Sequence, residues 1–205
     1  MRREGWQRCI VAGSGPTLPL LVPRIIERQR EGYRVIAVND AWTALPTADV
    51  LYVCDRAWWE HHGDVAARFA GERWSSQTMD PDTDDDKLAW GRCEEFQIKL
   101  VKAYPHPGFC FVPGSIHYGH NAGFQAVNLA LQFGAAEIRL AGLDMRSLAP
   151  GITHFCEQAP QLRAWSDYPT FIAAFRRAAE TLPPDIRIVN CTPGSALDCF
   201  PRETL

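Results

Sequence analysis

Apolar and polar positions along this chain fall into two alternating patterns. Short apolar runs at residues 8–12, 35–38, 50–54, 137–141 and 186–190 each stop at Gly, Asn, Asp or Cys. Runs of that length, bounded by turn formers, predict buried strands. Between them lie stretches with helical spacing. Leu18, Leu21, Val22, Ile25 and Ile26 mark a helix over 18–31, closed by Gly32. Pro23 falls early in that stretch and offers a start for it. Further helices are predicted over 58–70, 124–133 and 168–181, the third of these four ending at Gly134.

The middle of the chain is less regular. Residues 96–104 read as a strand or edge segment and 108–112 as a strand, followed by a long turn over 113–123. A polar, acidic stretch around 75–90, densest over 78–87, reads as a surface loop. Asp80, Asp82 and Asp84 alternate there, but the Gly and terminal Glu of a calcium loop are missing. Strands alternating with helices predict an α/β fold. It is expected to be Rossmann-like, with a mainly parallel sheet, helices on both faces, and a single domain over residues 1–205.

Composition narrows the class. The chain has 205 residues, 46% hydrophobic and 22% charged, enough apolar material for one core. A net charge of -3 with scattered Arg gives no strong nucleic-acid signal. No apolar run approaches the roughly 18 residues of a membrane span. Residues 1–7 are polar and unlike a secretory signal, so a cytoplasmic location is expected. Seven cysteines without Cys-x-x-Cys spacing read as reduced thiols rather than disulfides or a metal site.

In parallel sheets ligands bind beyond the carboxyl ends of the strands. The polar, glycine-rich segments of this chain fall at those ends: 13–17, 39–40, Asp55, 114–123, 142–144 and 190–195. Gly13-Ser14-Gly15-Pro16 follows the first strand directly. Its glycines would let backbone N–H groups approach a phosphate at the start of the next helix. The turn is neither the dinucleotide fingerprint, since Leu18 stands where a third glycine belongs, nor a P-loop, since no Gly-Lys-Ser/Thr follows. The competing reading is a plain strand–helix turn. His117, His120 and His154 lie in such loops as candidate acids, bases or phosphate contacts. His61 and His62 are expected on a helix surface. Trp42, Trp58 and Trp59 are read as packing residues ahead of stacking ones.

These motifs together resemble a family. Ile10-Val11-Ala12-Gly13-Ser14-Gly15-Pro16-Thr17-Leu18 is similar to the opening strand and turn of the family 42 sialyltransferases. Related motility-associated glycosyltransferase-like and pterin pyrophosphokinase-like proteins share that turn. Val38-Asn39-Asp40-Ala41-Trp42, the stretch from Asn121-Ala122-Gly123 to Gly142-Leu143-Asp144, Thr153-His154-Phe155 and the closing 190–195 turn resemble that family's motifs in the same order. The combination is also similar to short phage and prophage proteins. The resemblance implies a nucleotide site made by Gly13, Ser14, Gly15, Pro16, Asn39, Asn121, Ala122, Gly123 and Asp144. It implies a catalytic base at His154 or at Glu157, which stands where the family has its histidine. The family's phosphate-gripping tyrosines have no counterpart between Asp144 and Thr153, leaving Arg146 or Arg163 for that part.

The expected function is therefore nucleotide-dependent transfer, foremost glycosyl transfer from a CMP- or UDP-linked sugar, with a small nucleotide as ligand and no metal. One alternative is pyrophosphoryl transfer from ATP, which would need Mg²⁺ on Asp40, Asp55 or Asp144. Another is a non-catalytic phage accessory protein that keeps the fold. Homo-oligomer formation stands as an open expectation.

Overall fold

The computed structural model describes residues 1–79, 93–156 and 166–205. Among them run β1 (Arg8–Ala12), α1 (Leu18–Arg30), β2 (Arg34–Val38), α2 (Ala41–Ala44), β3 (Val50–Tyr52), α3 (Arg56–Ala66) and β4 (Glu72–Thr78). There follow β5 (Ile98–Tyr104), β6 (Ser115–His117), α4 (Ala122–Phe133), β7 (Glu137–Ala141), α5 (Tyr168–Glu180) and β8 (Arg187–Asn190). The strands form one parallel sheet in the order β6-β5-β4-β3-β2-β1-β7-β8. From β1 the chain steps outward strand by strand to β6. The α4 connection then returns it across β2 and β1, and β7 pairs on the free side of β1, with Arg8 opposite Glu137. The order reverses at β1, so the ends of β1 and β7 open a crevice.

Alternation along each strand feeds two cores. Cys9, Val11, Ile36, Val38, Val50 and Tyr52 face α4 and α5. Ile10, Ala12, Val35, Ala37, Leu51 and Val53 pack on the opposite side with the apolar faces of α1 and α3. Because β1, β2 and β3 are covered on both faces, their sequences are almost wholly apolar. This is the predicted α/β, Rossmann-like single domain.

Four local expectations change. The α1 helix begins at Leu18, not Pro23, which lies inside it. The carbonyl that Pro23 leaves without a donor belongs to Pro19, on the exposed first turn, where water can replace the missing N–H. β4, not expected as a strand, runs into the stretch from residue 75 that reads as a polar surface loop. Most of that loop, including Asp80, Asp82 and Asp84, lies outside the described residues. Residues 108–112 form no strand, and β6 falls inside the predicted turn. The Cys110 backbone instead pairs with α4: its N–H donates to Asn128 Oδ1 at 2.8 Å, and its carbonyl accepts from Asn128 Nδ2 and Gln132 Nε2. Two amide side chains take the place of a neighbouring strand. All seven cysteines are free thiols. No helix among the described residues is long and apolar enough to cross a membrane.

Candidate functional site

The turn after β1 is held down by its own glycines. Gly13 N–H donates to Ala141 O at 2.8 Å and Gly15 N–H to Gly142 O at 2.9 Å. Thr17 N–H and Oγ1 both donate to Asp144 Oδ2. A Cβ on Gly13 would lie 2.7 Å from Gly142 O. The glycines therefore fit this turn against the one after β7, and their N–H groups are spent inside the protein. The phosphate-approach role expected of Gly13 and Gly15 gives way to loop packing.

The turn after β7 is clamped from its other side. Leu143 N–H donates to Thr192 Oγ1, Ser195 Oγ donates to Leu143 O at 2.6 Å, and Ala196 N–H donates to Asp144 O. The 190–195 segment supports the crevice without lining it. Asp144 is only 2% exposed. Its Oδ1 has no hydrogen-bond partner. Burial pushes its carboxyl above the ordinary aspartate range, and the Thr17 hydrogen bonds pull partly back.

Above these turns lies a cavity of about 270 Å³ at the switch point. It gathers Gly13, Ser14, Gly15, Asn39, Asn121, Ala122, Gly123, Asp144 and His154, residues drawn from five separated segments. Pro16 is not in its wall. Glu157 and Arg163 lie outside the described residues. Asn39 sits at the end of β2 in the left-handed region, φ 50°, with its Oδ1 buried and unpartnered. Asn121 caps α4, accepting from Phe124 N–H at 2.8 Å. That leaves the Ala122 and Gly123 N–H groups of the first turn without intrahelical acceptors, at the positive end of the helix.

His154 reaches the cavity because Phe155 N–H donates to Ser14 O, tying its loop to the first turn. Its Nδ1 lies 2.9 Å from Thr153 Oγ1. With Nδ1–H donating to that hydroxyl, Nε2 is left as a proton acceptor. Burial lowers the His154 pKa, partly opposed by the charge of Asp40, so the ring is neutral at pH 7. His117 is held elsewhere, its Nδ1 3.0 Å from Gly108 O. His120 lines the mouth.

Several wall residues carried little sequence signal. Tyr168 and Phe171 enter from α5, and Tyr168 supplies a phenol that the 144–153 stretch lacks. Burial raises that phenol's pKa, so it remains a hydrogen-bond donor. Trp58 is 3% exposed yet forms part of the wall, its Nε1 donating to Asp40 Oδ1 at 2.8 Å. His62, partly exposed on α3, lies 3.8 Å from the same oxygen. Asp40 is thus a support beneath the wall. Asp55 caps α3 by accepting from Ala57 N–H. Arg146 lies against Gly194, outside the cavity wall. No group of three or more His, Cys, Asp or Glu that could hold a metal ion occurs among the described residues. A larger depression, about 510 Å³, opens where β3 and β4 begin. Its buried Arg73 is engaged by the carbonyls of Ala67, Phe69 and Phe96, so it offers no comparable chemistry.

No protein-family model matches this chain, and no curated protein matches it. A solved structure does: the MAf glycosyltransferase from Magnetospirillum magneticum AMB-1, at a TM-score of 0.65 and 16% identity. The match covers 99% of this chain and 34% of that one, so this chain spans about a third of that protein's length. What the two share is the fold. The resemblance to a sialyltransferase family and to phage proteins stays an expectation from the motifs.

Proposed function

We propose that the protein is a transferase using a nucleotide-activated sugar, with the switch-point cavity as its donor site. The observation that carries this reading is convergence. Segments singled out from the sequence, far apart along the chain, line one cavity in a fold shared with a glycosyltransferase. The donor phosphate lies at the start of α4, where the Ala122 and Gly123 N–H groups and the Tyr168 hydroxyl can donate to it. His154 Nε2 takes the proton of the acceptor hydroxyl as that oxygen bonds to the anomeric carbon. The bond from that carbon to the phosphate oxygen breaks, and its electron pair leaves with the nucleotide. The CMP- or UDP-linked donor is the fine detail of the proposal.

Pyrophosphoryl transfer fits less well. Asp40 is held by Trp58, Asp55 caps α3 and Asp144 binds Thr17, so the three acids do not converge. Thermal melts with CMP, UMP, GDP, ATP and the matching nucleotide sugars, with and without Mg²⁺, test the reading. A cytidine or uridine ligand is expected to raise the melting temperature without Mg²⁺, and its nucleotide sugar is expected to be hydrolysed slowly. Stabilisation by Mg-ATP alone would overturn it.

A further inference from the structure

The β1 end of the cavity is built unlike an anion site. The Gly13 and Gly15 N–H groups are spent on Ala141 and Gly142. Behind them stands the carboxylate of Asp144, and the described wall includes no Lys or Arg. The unsatisfied atoms at this end are both acceptors. Asp144 Oδ1 and Asn39 Oδ1 are buried without partners, and both residues line the cavity. Buried acceptors are almost always paired, because desolvation without a partner is unfavourable. Two orphans on residues that line one cavity point to a ligand that brings donors.

Their placement limits what those donors are. Asn39 follows β2 and Asp144 follows β7, the two strands that flank β1. Two strand spacings of ~4.8 Å separate β2 from β7, with the β1 turn between them. The left-handed backbone of Asn39 is a conformation that Asn accepts more readily than most residues, which is consistent with a position kept for its side chain. A phosphate would add negative charge beside Asp144 and bring no donor. Neutral hydroxyl groups satisfy both oxygens.

We infer that this end of the cavity reads sugar hydroxyls, with Asn39 Oδ1 and Asp144 Oδ1 each accepting from one, while the phosphate lies away from it at α4. The inference rests on the nucleotide-donor reading above. The hydroxyls belong either to the ribose or to the transferred sugar, and the chemistry at the protein is the same.

Titration calorimetry with CMP, UMP, GMP and AMP, their 2′-deoxy and 3′-deoxy forms, and the corresponding nucleotide sugars decides it. Removing one ribose hydroxyl from the best ligand is expected to weaken binding roughly tenfold or more. Asn39→Gly keeps the backbone conformation and removes one acceptor; Asp144→Ala removes the other. Each is expected to weaken the ribonucleotide by a similar factor and to erase discrimination against one deoxy form. If deoxy forms bind like ribonucleotides but Asn39→Gly weakens only the nucleotide sugar, the hydroxyls are those of the sugar. The deoxy series uses the unaltered protein, so it stands even if Asp144→Ala fails to fold. Tight nucleotide and nucleotide-sugar binding indifferent to every hydroxyl and both variants would overturn the inference and leave the donor reading intact. So would binding abolished by EDTA, which would assign the orphan oxygens to a cation. Failure of all these ligands to bind would remove both.

Discussion

Gly15 and Asp144 meet so closely that a Cβ on the glycine would lie 2.1 Å from Asp144 Oδ2. Gly142 O, 2.5 Å from the same point, blocks retreat. Gly15→Ala is therefore expected to force the two turns apart, costing about 1–3 kcal/mol as overpacked sites do. Nucleotide affinity should fall with it. Urea unfolding and calorimetry check this, and a variant that melts like the parent would show that the turns are not interlocked.

Asp144 also predicts a pH dependence. Its folded-state pKa is raised by burial, so its contribution is full below the ordinary aspartate range and is lost as pH rises through the folded value. Asp144→Asn removes that loss and keeps an oxygen for Thr17. Its stability relative to the parent should be smallest in acid and grow as pH climbs through the carboxylate range to a plateau at neutrality. Urea midpoints at a series of pH values measure the curve; a gap that widens toward acid would contradict the direction.

His154 has the opposite sign. Burial lowers its pKa, so it favours folding most while neutral and gives up that contribution as pH falls through the depressed value. As the base, it should make transfer rates fall on the same acid limb. His154→Ala is expected to lower turnover by roughly 10²–10⁴-fold, the usual worth of a general base, and to flatten that limb with little change in melting temperature. Unchanged turnover would leave the base to another group.

Asn128 offers a prediction away from the cavity. It is fully buried, and its amide serves the N–H groups of Cys110 and His117 and the carbonyl of Cys110. Asn128→Ala leaves buried backbone groups unpaired, each worth about 1–3 kcal/mol. Loss of several kcal/mol is expected in urea unfolding, with hydrogen exchange rising first at Cys110 and His117.

How legible these features were depends on whether they rest on local pattern. The buried strands β1, β2, β7 and β8 announce themselves as apolar runs, and the turns that follow them mark the rim. β4 did not, because its Arg73, Ser75, Ser76 and Gln77 break the apolar run. Three of those side chains, Arg73, Ser75 and Ser76, are buried all the same; Arg73 donates to the carbonyls of Ala67, Phe69 and Phe96, and Ser75 Oγ is left unpaired. The misplaced strand at 108–112 has a similar cause: Phe109 and Cys110 are buried as a strand's would be, but against the amides of α4 rather than a sheet neighbour.

The candidate site divides along the same line. That Asn39, Asp144 and the α4 start share one cavity follows from their standing just past strand ends, whereas His154 is brought there by the tie of Phe155 N–H to Ser14 O. What the glycines do could not be read, since the Gly142 carbonyl that fills their missing Cβ space lies across the chain. Tyr168 and Trp58 join the wall from helices whose periodicity marks them as packing residues. Only the docking of α5 and α3 brings them to the crevice.

The pairing of residues 8–12 with 137–141 has a kinetic consequence. β1 is made first but acquires its β7 neighbour only after all five outward strands, β2 to β6, and α4 have been traversed. Such sequence-distant pairing is slow, because loop closure precedes its reward. The crevice forms only when β7 arrives, so a nascent chain ending before Glu137 has no binding site. Ligand capture by the refolding protein would then time the closing of the sheet, and a ligand held only by the closed form would draw folding to completion by mass action.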